Sequence, residues 1–300
     1  MEKVDVRAQV REFLSSRRAR LSPQDAGLPA YGGNRRVKGL RREEVAVLAG
    51  VSVDYYVRME RGDLGGVSAS VLDALASALQ LDEAERDHLF ALARGTGPRK
   101  GPRRAAVTTV RPVIQQILDA MTGAPAWVRN GRHDVLAMNA LARALYAPVL
   151  GSPVAGATQR RPANTTRFLY LDPAARDFFV DYDAIANDAA AALRLEAGHH
   201  PHDEDLIALI GELSDRSELF RQLWAAHDVK FHRSGRKRLR HPAVGELDLS
   251  FEAMELPSEP GLRLNVYTAD PHTPAFDGLR LLASWAATRE QDNTALEIAG

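Results

Sequence analysis

Two adjacent arginines, Arg41 and Arg42, are followed eleven residues later by Val53-Asp54-Tyr55-Tyr56-Val57-Arg58, which mixes an acid, a cation and branched apolar side chains. Such groups can read nucleic-acid base edges. A carboxylate accepts from cytosine N4, a guanidinium donates to guanine, and apolar branches touch thymine methyls. Asp54 therefore either accepts from cytosine or complements the dipole of the helix it opens. Val53 and Val57 either meet thymine methyls or pack partly against their neighbours. Arg58 reads guanine or holds phosphate; phosphate is favoured, because roughly half to two-thirds of such contacts go to the backbone and sugar. Ser52, Tyr55 and Arg61 lie in the same stretch and complete the candidate set. Arg41 and Arg42 start the preceding helix, where cations and free N–H groups meet phosphate. The run 35–42 carries five cations and no acid. Arg35, Arg36 and Lys38 on it either add sequence-blind attraction to a polyanion or are a solvated loop.

The second half offers a different chemistry. Trp127, Tyr146, Phe168, Tyr182, Phe251 and Tyr267, with Phe178, Phe179 and Phe231, supply aromatic surface for a core or a cavity wall. Arg221, Trp224, His227 and Asp228 recur at helical spacing. They would set a cation and a donor at the mouth of an apolar pocket, suited to a carboxylate head group, or form a structural His–Asp or Arg–Asp contact. His199, His200, His202 and Asp203 surround Pro201 and read as a solvated turn rather than a metal site. No HExxH, GxSxG or phosphate-loop motif occurs. The chain has no cysteine, which excludes disulfides, thiolate zinc and Cys nucleophiles together.

The elements that must hold these groups can be read from periodicity. Val6, Val10, Phe13 and Leu14 share one helical face. Glu43–Ala49 and Val53–Arg61 form two short helices around a tight turn at Gly50, with Ser52 as cap. Small Ala46 lets them cross closely, while Tyr56 and Met59 face inward. A helix so presented fits the major groove. Val71, Leu72, Leu75 and Leu79 mark a fourth helix, and the Asp82/Glu85 pair opens a fifth. Residues 94–106 are rich in Gly, Pro and cations and read as a linker. Beyond it, 110–121, 139–146, most of 173–228 and 278–287 read as helices. Val128 and Val135–Met138 read as short strands around Asn130-Gly131. Leu247, Leu249, Phe251 and Ala253 alternate with polar residues, as do Leu262, Leu264 and Val266 after a turn at 257–261, which indicates antiparallel pairing.

Composition sets the frame. Three hundred residues suggest two domains. Lys and Arg outnumber Asp and Glu by 19 to 14 over residues 1–104, leaving 20 against 25 in the remainder, so the basic third points to a polyanion. No apolar run approaches the ~18 residues of a membrane span, and the charged N-terminus lacks a signal-peptide core. A cytoplasmic location is expected.

Three stretches, Gly39-Leu40-Arg41-Arg42-Glu43-Glu44-Val45-Ala46, Ala49 to Tyr56 and Glu60-Arg61-Gly62, resemble Xre/Cro-like helix-turn-helix regulators. More narrowly, with Val135–Asn139, Phe168–Pro173, Leu223–Val229 and His241–Leu247, the chain resembles the actinobacterial subgroup that has an MmyB-like ligand-binding domain. The resemblance implies a PAS-like C-terminal domain, an antiparallel sheet with helices around a cavity, and a fatty acid as ligand. Two positions depart from it: Phe251 stands where Tyr is expected, and Thr165-Thr166 interrupt a more apolar stretch.

The combined expectation is a mostly α protein with a smaller antiparallel sheet. A five-helix DNA-binding domain spans 1–93, a linker 94–106, and an α+β ligand-binding and dimerisation domain 107–300. Its partners would be a palindromic double-stranded operator, a second copy of the chain and a small apolar ligand, with no membrane. No cofactor or metal is expected beyond a bound fatty acid or similar amphipathic acid. The ligand site would draw on Trp127, Tyr146, Phe168, Tyr182, Arg221, Trp224, His227, Phe251 and Tyr267. The rival reading is a regulator whose C-terminal domain binds only protein, which a fully packed core would favour. An enzyme fused to a DNA-binding domain lacks its motifs.

Overall fold

A computed structural model of the chain describes residues 5–28, 37–96, 109–159, 161–231 and 233–299, with side chains up to 288. It comprises two compact units. One holds Met1–Arg104, Ala190–Gly211 and Gln222–Phe231; the other holds Ala105–Ala189, Glu212–Arg221 and His232–Gly300. The division is thus not linear in sequence, whereas composition alone places all of 107–300 together. Residues 97–106 of the expected linker lie outside the described residues.

The first unit contains the five expected helices: α1 (Val6–Arg20), α2 (Arg42–Leu48), α3 (Val53–Glu60), α4 (Ala69–Ala78) and α5 (Glu83–Gly95). Four of these five starts are fixed by a side-chain cap. The side chains of Asp5, Ser52, Ser68 and Asp82 accept from backbone N–H groups of the first turns of α1, α3, α4 and α5. Asp82 and Glu85 bond reciprocally, as their spacing predicts. The buried faces, including Phe13, Leu14, Val45, Tyr56, Met59, Leu75 and Leu89, form one core. Within it Arg17 and Glu85 form a buried ion pair at 2.9 Å.

The second half of the chain runs α6 (Pro112–Ala120), β1 (Ala126–Asn130), β2 (Val135–Met138), α7 (Ala140–Leu145), α8 (Ala147–Leu150), α9 (Thr165–Leu171), α10 (Ala174–Phe178), α11 (Tyr182–His199), α12 (Glu204–Arg216) and α13 (Glu218–Ala225). It then continues through β3 (Ser234–His241), β4 (Gly245–Glu255), β5 (Leu262–Thr268) and α14 (Pro274–Ala299). Among the described residues, no helix is long and apolar enough to cross a membrane.

All five strands join one antiparallel sheet in the order β2-β1-β5-β4-β3. Register decides which side chains share a face. Trp127 pairs with Asn265, Phe251 with Tyr267, and Lys237 with Leu249. Side chains alternate along a strand, so Trp127, Arg129, Asn265, Tyr267, Phe251 and Lys237 lie on one face. The other face of β1 and β5 carries Ala126, Val128, Leu264 and Val266, which pack with Ile114 and Leu118 of α6. The apolar set of β5 thus belongs to the α6 side, and its polar set belongs to the face opposite.

Candidate functional site

The helix-turn-helix has the geometry its spacing implies. Gly50 adopts φ +64°, a left-handed conformation that glycine takes at no steric cost, and Val51 N–H donates back to the Ala46 carbonyl at 3.0 Å. Ala46 is fully buried, and Tyr56 and Met59 turn into the core. This leaves Ser52, Val53, Asp54, Arg58 and Arg61 exposed, with Tyr55 and Val57 half-buried. Arg58 lies over the Tyr55 ring at 5.1 Å and reaches Asp63 at 3.4 Å. Lys38 and Arg41 are exposed; Arg35 and Arg36 lie outside the described residues.

Arg42 is also tied inside the motif. Its guanidinium donates to Glu60, a buried carboxylate that also accepts from Arg18 at 2.6 Å. The carboxylate raises the pKa of Arg42, so this cation stays charged. Burial, with the same carboxylate added to it, keeps the Tyr56 phenol protonated.

The second unit encloses a cavity of about 40 Å³. Its sheet wall is Trp127, Arg129, Lys237, Asn265 and Tyr267; its other walls include His133, Tyr146, Thr165, Thr166, Leu169, Phe179, Ile185 and Ala189. The Trp127 and Tyr267 rings stack with centroids 4.8 Å apart, and the Tyr146 and Tyr267 hydroxyls are bonded at 2.8 Å. Burial raises both phenols' pKa values, so each remains a neutral O–H. Burial, together with neighbouring Arg129, pushes the Lys237 ammonium down to about 8, against an opposing pull from Asp188.

Of the residues predicted for the ligand site, Trp127, Tyr146 and Tyr267 therefore converge on the cavity. Phe168 is buried behind it, with its ring 6.0 Å from that of Phe179. Phe251 touches Tyr267 at 5.8 Å. Tyr182 donates to the Leu169 carbonyl at 2.9 Å under a covering Arg176. Arg221, Trp224 and His227 are not among the lining residues. Arg221 is exposed and bonded to Glu218 and to the Ser214 carbonyl. Trp224 and His227 belong to the first unit. There Arg194 lies 4.0 Å over the Trp224 ring and donates to the Trp224 carbonyl. Arg17 donates to the His227 carbonyl at 2.5 Å. Burial, then Arg194 and Arg17, push the His227 imidazole down to about 4.

Arg129, His133, Lys237 and Asn265 are cavity residues that sequence reasoning missed. Arg129 and Asn265 stand two positions from Trp127 and Tyr267 on their strands, so period-two alternation carried the signal. Thr165 and Thr166, where the chain departs from the resemblance, both line the cavity. His199 pairs with Asp87 at 2.8 Å and His200 with Glu196 at 3.3 Å. Among the described residues, no group of three or more His, Cys, Asp or Glu could hold a metal.

Comparison with known families covers both halves. Residues 110–282 match the MmyB-like transcription regulator ligand binding domain, and residues 9–89 match a helix-turn-helix domain. No curated protein matches the chain.

Proposed function

Because the chain belongs to the family of the MmyB-like transcription regulator ligand binding domain, we propose that it is a sequence-specific DNA-binding regulator whose affinity for its operator is set by a small ligand in the C-terminal half. The observation that carries the DNA reading is the exposed start of α3, where Ser52, Val53 and Asp54 stand free of the core while Tyr56 and Met59 anchor it. A helix held by one face presents its first turns to base edges. Arg41, Arg42, Lys38 and Arg58 supply cations for the flanking phosphates.

One helix-turn-helix covers a half-site, so the working form is a homodimer on a palindrome. Ligand control is then linkage: a ligand that prefers one dimer geometry shifts DNA affinity by its differential binding free energy, typically about 1–3 kcal/mol. The cavity between sheet and helices supports the ligand reading over a purely protein-binding domain. Ligand pockets usually span ~300–1,000 Å³, and a cavity of ~150 Å³ already holds benzene. At about 40 Å³ this one has room for a head group, and a long alkyl chain would enter only by parting Leu169, Phe179, Ile185 and Ala189.

The test is selection of operator sequences from random DNA by the full chain, followed by affinity measurements on the recovered site with and without cell-extracted small molecules. Recovery of an inverted repeat whose affinity responds to an extract is the expected result. Binding with no sequence preference overturns the reading.

A further inference from the structure

We propose that the cavity of the second unit is an anion socket, in which Arg129, Lys237, the Trp127 indole and the Tyr146–Tyr267 pair take the carboxylate or phosphate group of a compact molecule. This rests on the reading of the C-terminal half as ligand-binding and adds to it the chemical class of the ligand.

The charge of the walls is the first argument. Arg129 is 3% exposed and shares a sheet face with Lys237, and both line the cavity. Among the described residues, no carboxylate lines it. Asp188, the acid that acts on Lys237, is not a lining residue. Two cations brought together at a low-dielectric cavity repel each other, and this repulsion adds to burial in depressing Lys237. An anion between them reverses its sign.

The neutral donors are the second argument. The Trp127 indole N–H is buried and has no hydrogen-bond partner among the described residues. Indole can only donate, so the atom calls for an acceptor. The paired phenols share one hydrogen bond, and whichever hydroxyl accepts keeps its own proton to give. Asn265 and Thr165 extend the polar lining. An oxyanion only accepts and carries the opposite charge, so it answers a lining of donors and cations with the stronger, charge-assisted bonds that a neutral or cationic ligand cannot make.

Size sets the rest. About 40 Å³ accepts a carboxylate or phosphate with few further atoms. The flat Trp127–Tyr267 stack suits a planar or small acid rather than an extended chain.

The test uses the full chain and four probes: inorganic phosphate, acetate, acetamide and dodecanoate. Binding is followed by calorimetry and by the indole N–H resonances of the three tryptophans. Acetate or phosphate is expected to bind and to move the Trp127 signal downfield, and which of the two does so identifies the anion. Acetamide, which is neutral and isosteric with acetate, is expected not to bind. Lys237→Met should weaken the anion at least tenfold. Lys237 is half-buried on the edge strand β3, so this variant keeps its fold, which its unfolding temperature verifies. Arg129→Gln should abolish binding. Affinity should hold below pH 8 and fall above it as Lys237 loses its proton, given Arg129 and Asp188 as the other charges that act on it.

Acetamide binding as tightly as acetate, an anion indifferent to Lys237→Met, or dodecanoate binding while both compact anions stay inert would each overturn the socket. Operator affinity, measured in parallel, separates the two readings. Anions that bind and leave operator affinity unchanged refute ligand control but uphold the socket. Operator affinity that answers only to a neutral or long-chain compound does the reverse.

Discussion

Arg42, at the start of α2, donates to the buried carboxylate of Glu60, the last residue of α3. The first helix of the motif is thereby bonded to the end of the second, and Arg18 of α1 braces the same carboxylate. One acid sets the angle at which α3 is presented.

Arg41→Ala and Arg42→Ala should therefore part company. Both should weaken binding to all DNA alike and flatten the salt slope by about one unit for each phosphate left without its cation. Arg42→Ala should also lower stability by roughly 1–2 kcal/mol, since it removes a hydrogen bond to a buried charge. Arg41, exposed and without such a tie, should stay within ~0.5 kcal/mol of the parent. Equal urea midpoints for the two variants would refute the bracing role.

Asp54 is exposed in the first turn of α3. Asp54→Ala should change preference at one base pair per half-site, whereas Arg58→Ala should lower affinity without changing preference. A randomised operator library scored with each variant decides this; an unchanged base profile for Asp54→Ala would remove its base-reading role.

Gly198 on α11 meets His88 on α5 so closely that a Cβ there would lie 2.5 Å from the imidazole Nδ1. Gly198→Ala should cost about 1–3 kcal/mol by overpacking. His88→Ala in the same chain should recover part of that loss, giving a non-additive cycle. Simple additivity in denaturant titrations would show that the two residues do not press on each other.

The first unit should be acid-sensitive. Burial and the cations Arg194 and Arg17 hold His227 near 4, and burial with Arg194, His199, Arg17 and His227 holds His88 well below its usual value. Both folded pKa values lie below the ~6.5 of an unfolded histidine. The unfolded chain therefore binds more protons between about pH 6.5 and 4, and stability falls as pH drops through that window. Glu12, 3.5 Å from His227, opposes the effect in part. His227→Asn, which tolerates the φ of +57° at this position, should flatten the dependence of unfolding temperature on pH. A slope unchanged by this variant would place the sensitivity elsewhere.

What could be read in the sequence follows the range of the interaction involved. The Ser52 and Asp82 caps, the Gly50 turn and the alternation of β4 are decided within a few residues, and all appear where expected. β3 was not legible: Ser234–His241 contains a single aliphatic residue, Leu239, and holds its place by pairing with β4. Arg129 and Lys237 read as surface cations until strand register turns both toward the cavity. The proposed face of Arg221, Trp224 and His227 rested on helical spacing. However, α13 stops at Ala225, and His227 turns left-handed two residues later, so no common helix face exists.

The segments Ala190–Gly211 and Gln222–Phe231 complete the unit that carries the helix-turn-helix. They supply the His227 carbonyl and Asp228 to Arg17, and Gly198 to His88. This has a bearing on descent. Recombination that grafted residues 1–93 onto another sensor would leave buried Arg17 with Glu85 but without the His227 carbonyl and Asp228, and would open a hole beside a buried histidine. The helix-turn-helix segment is not a portable cassette. Lineages of this chain should transmit both halves as one block, with substitutions at Arg17, His88, Gly198 and His227 changing in concert, while the exposed residues of α3, free of these contacts, vary independently.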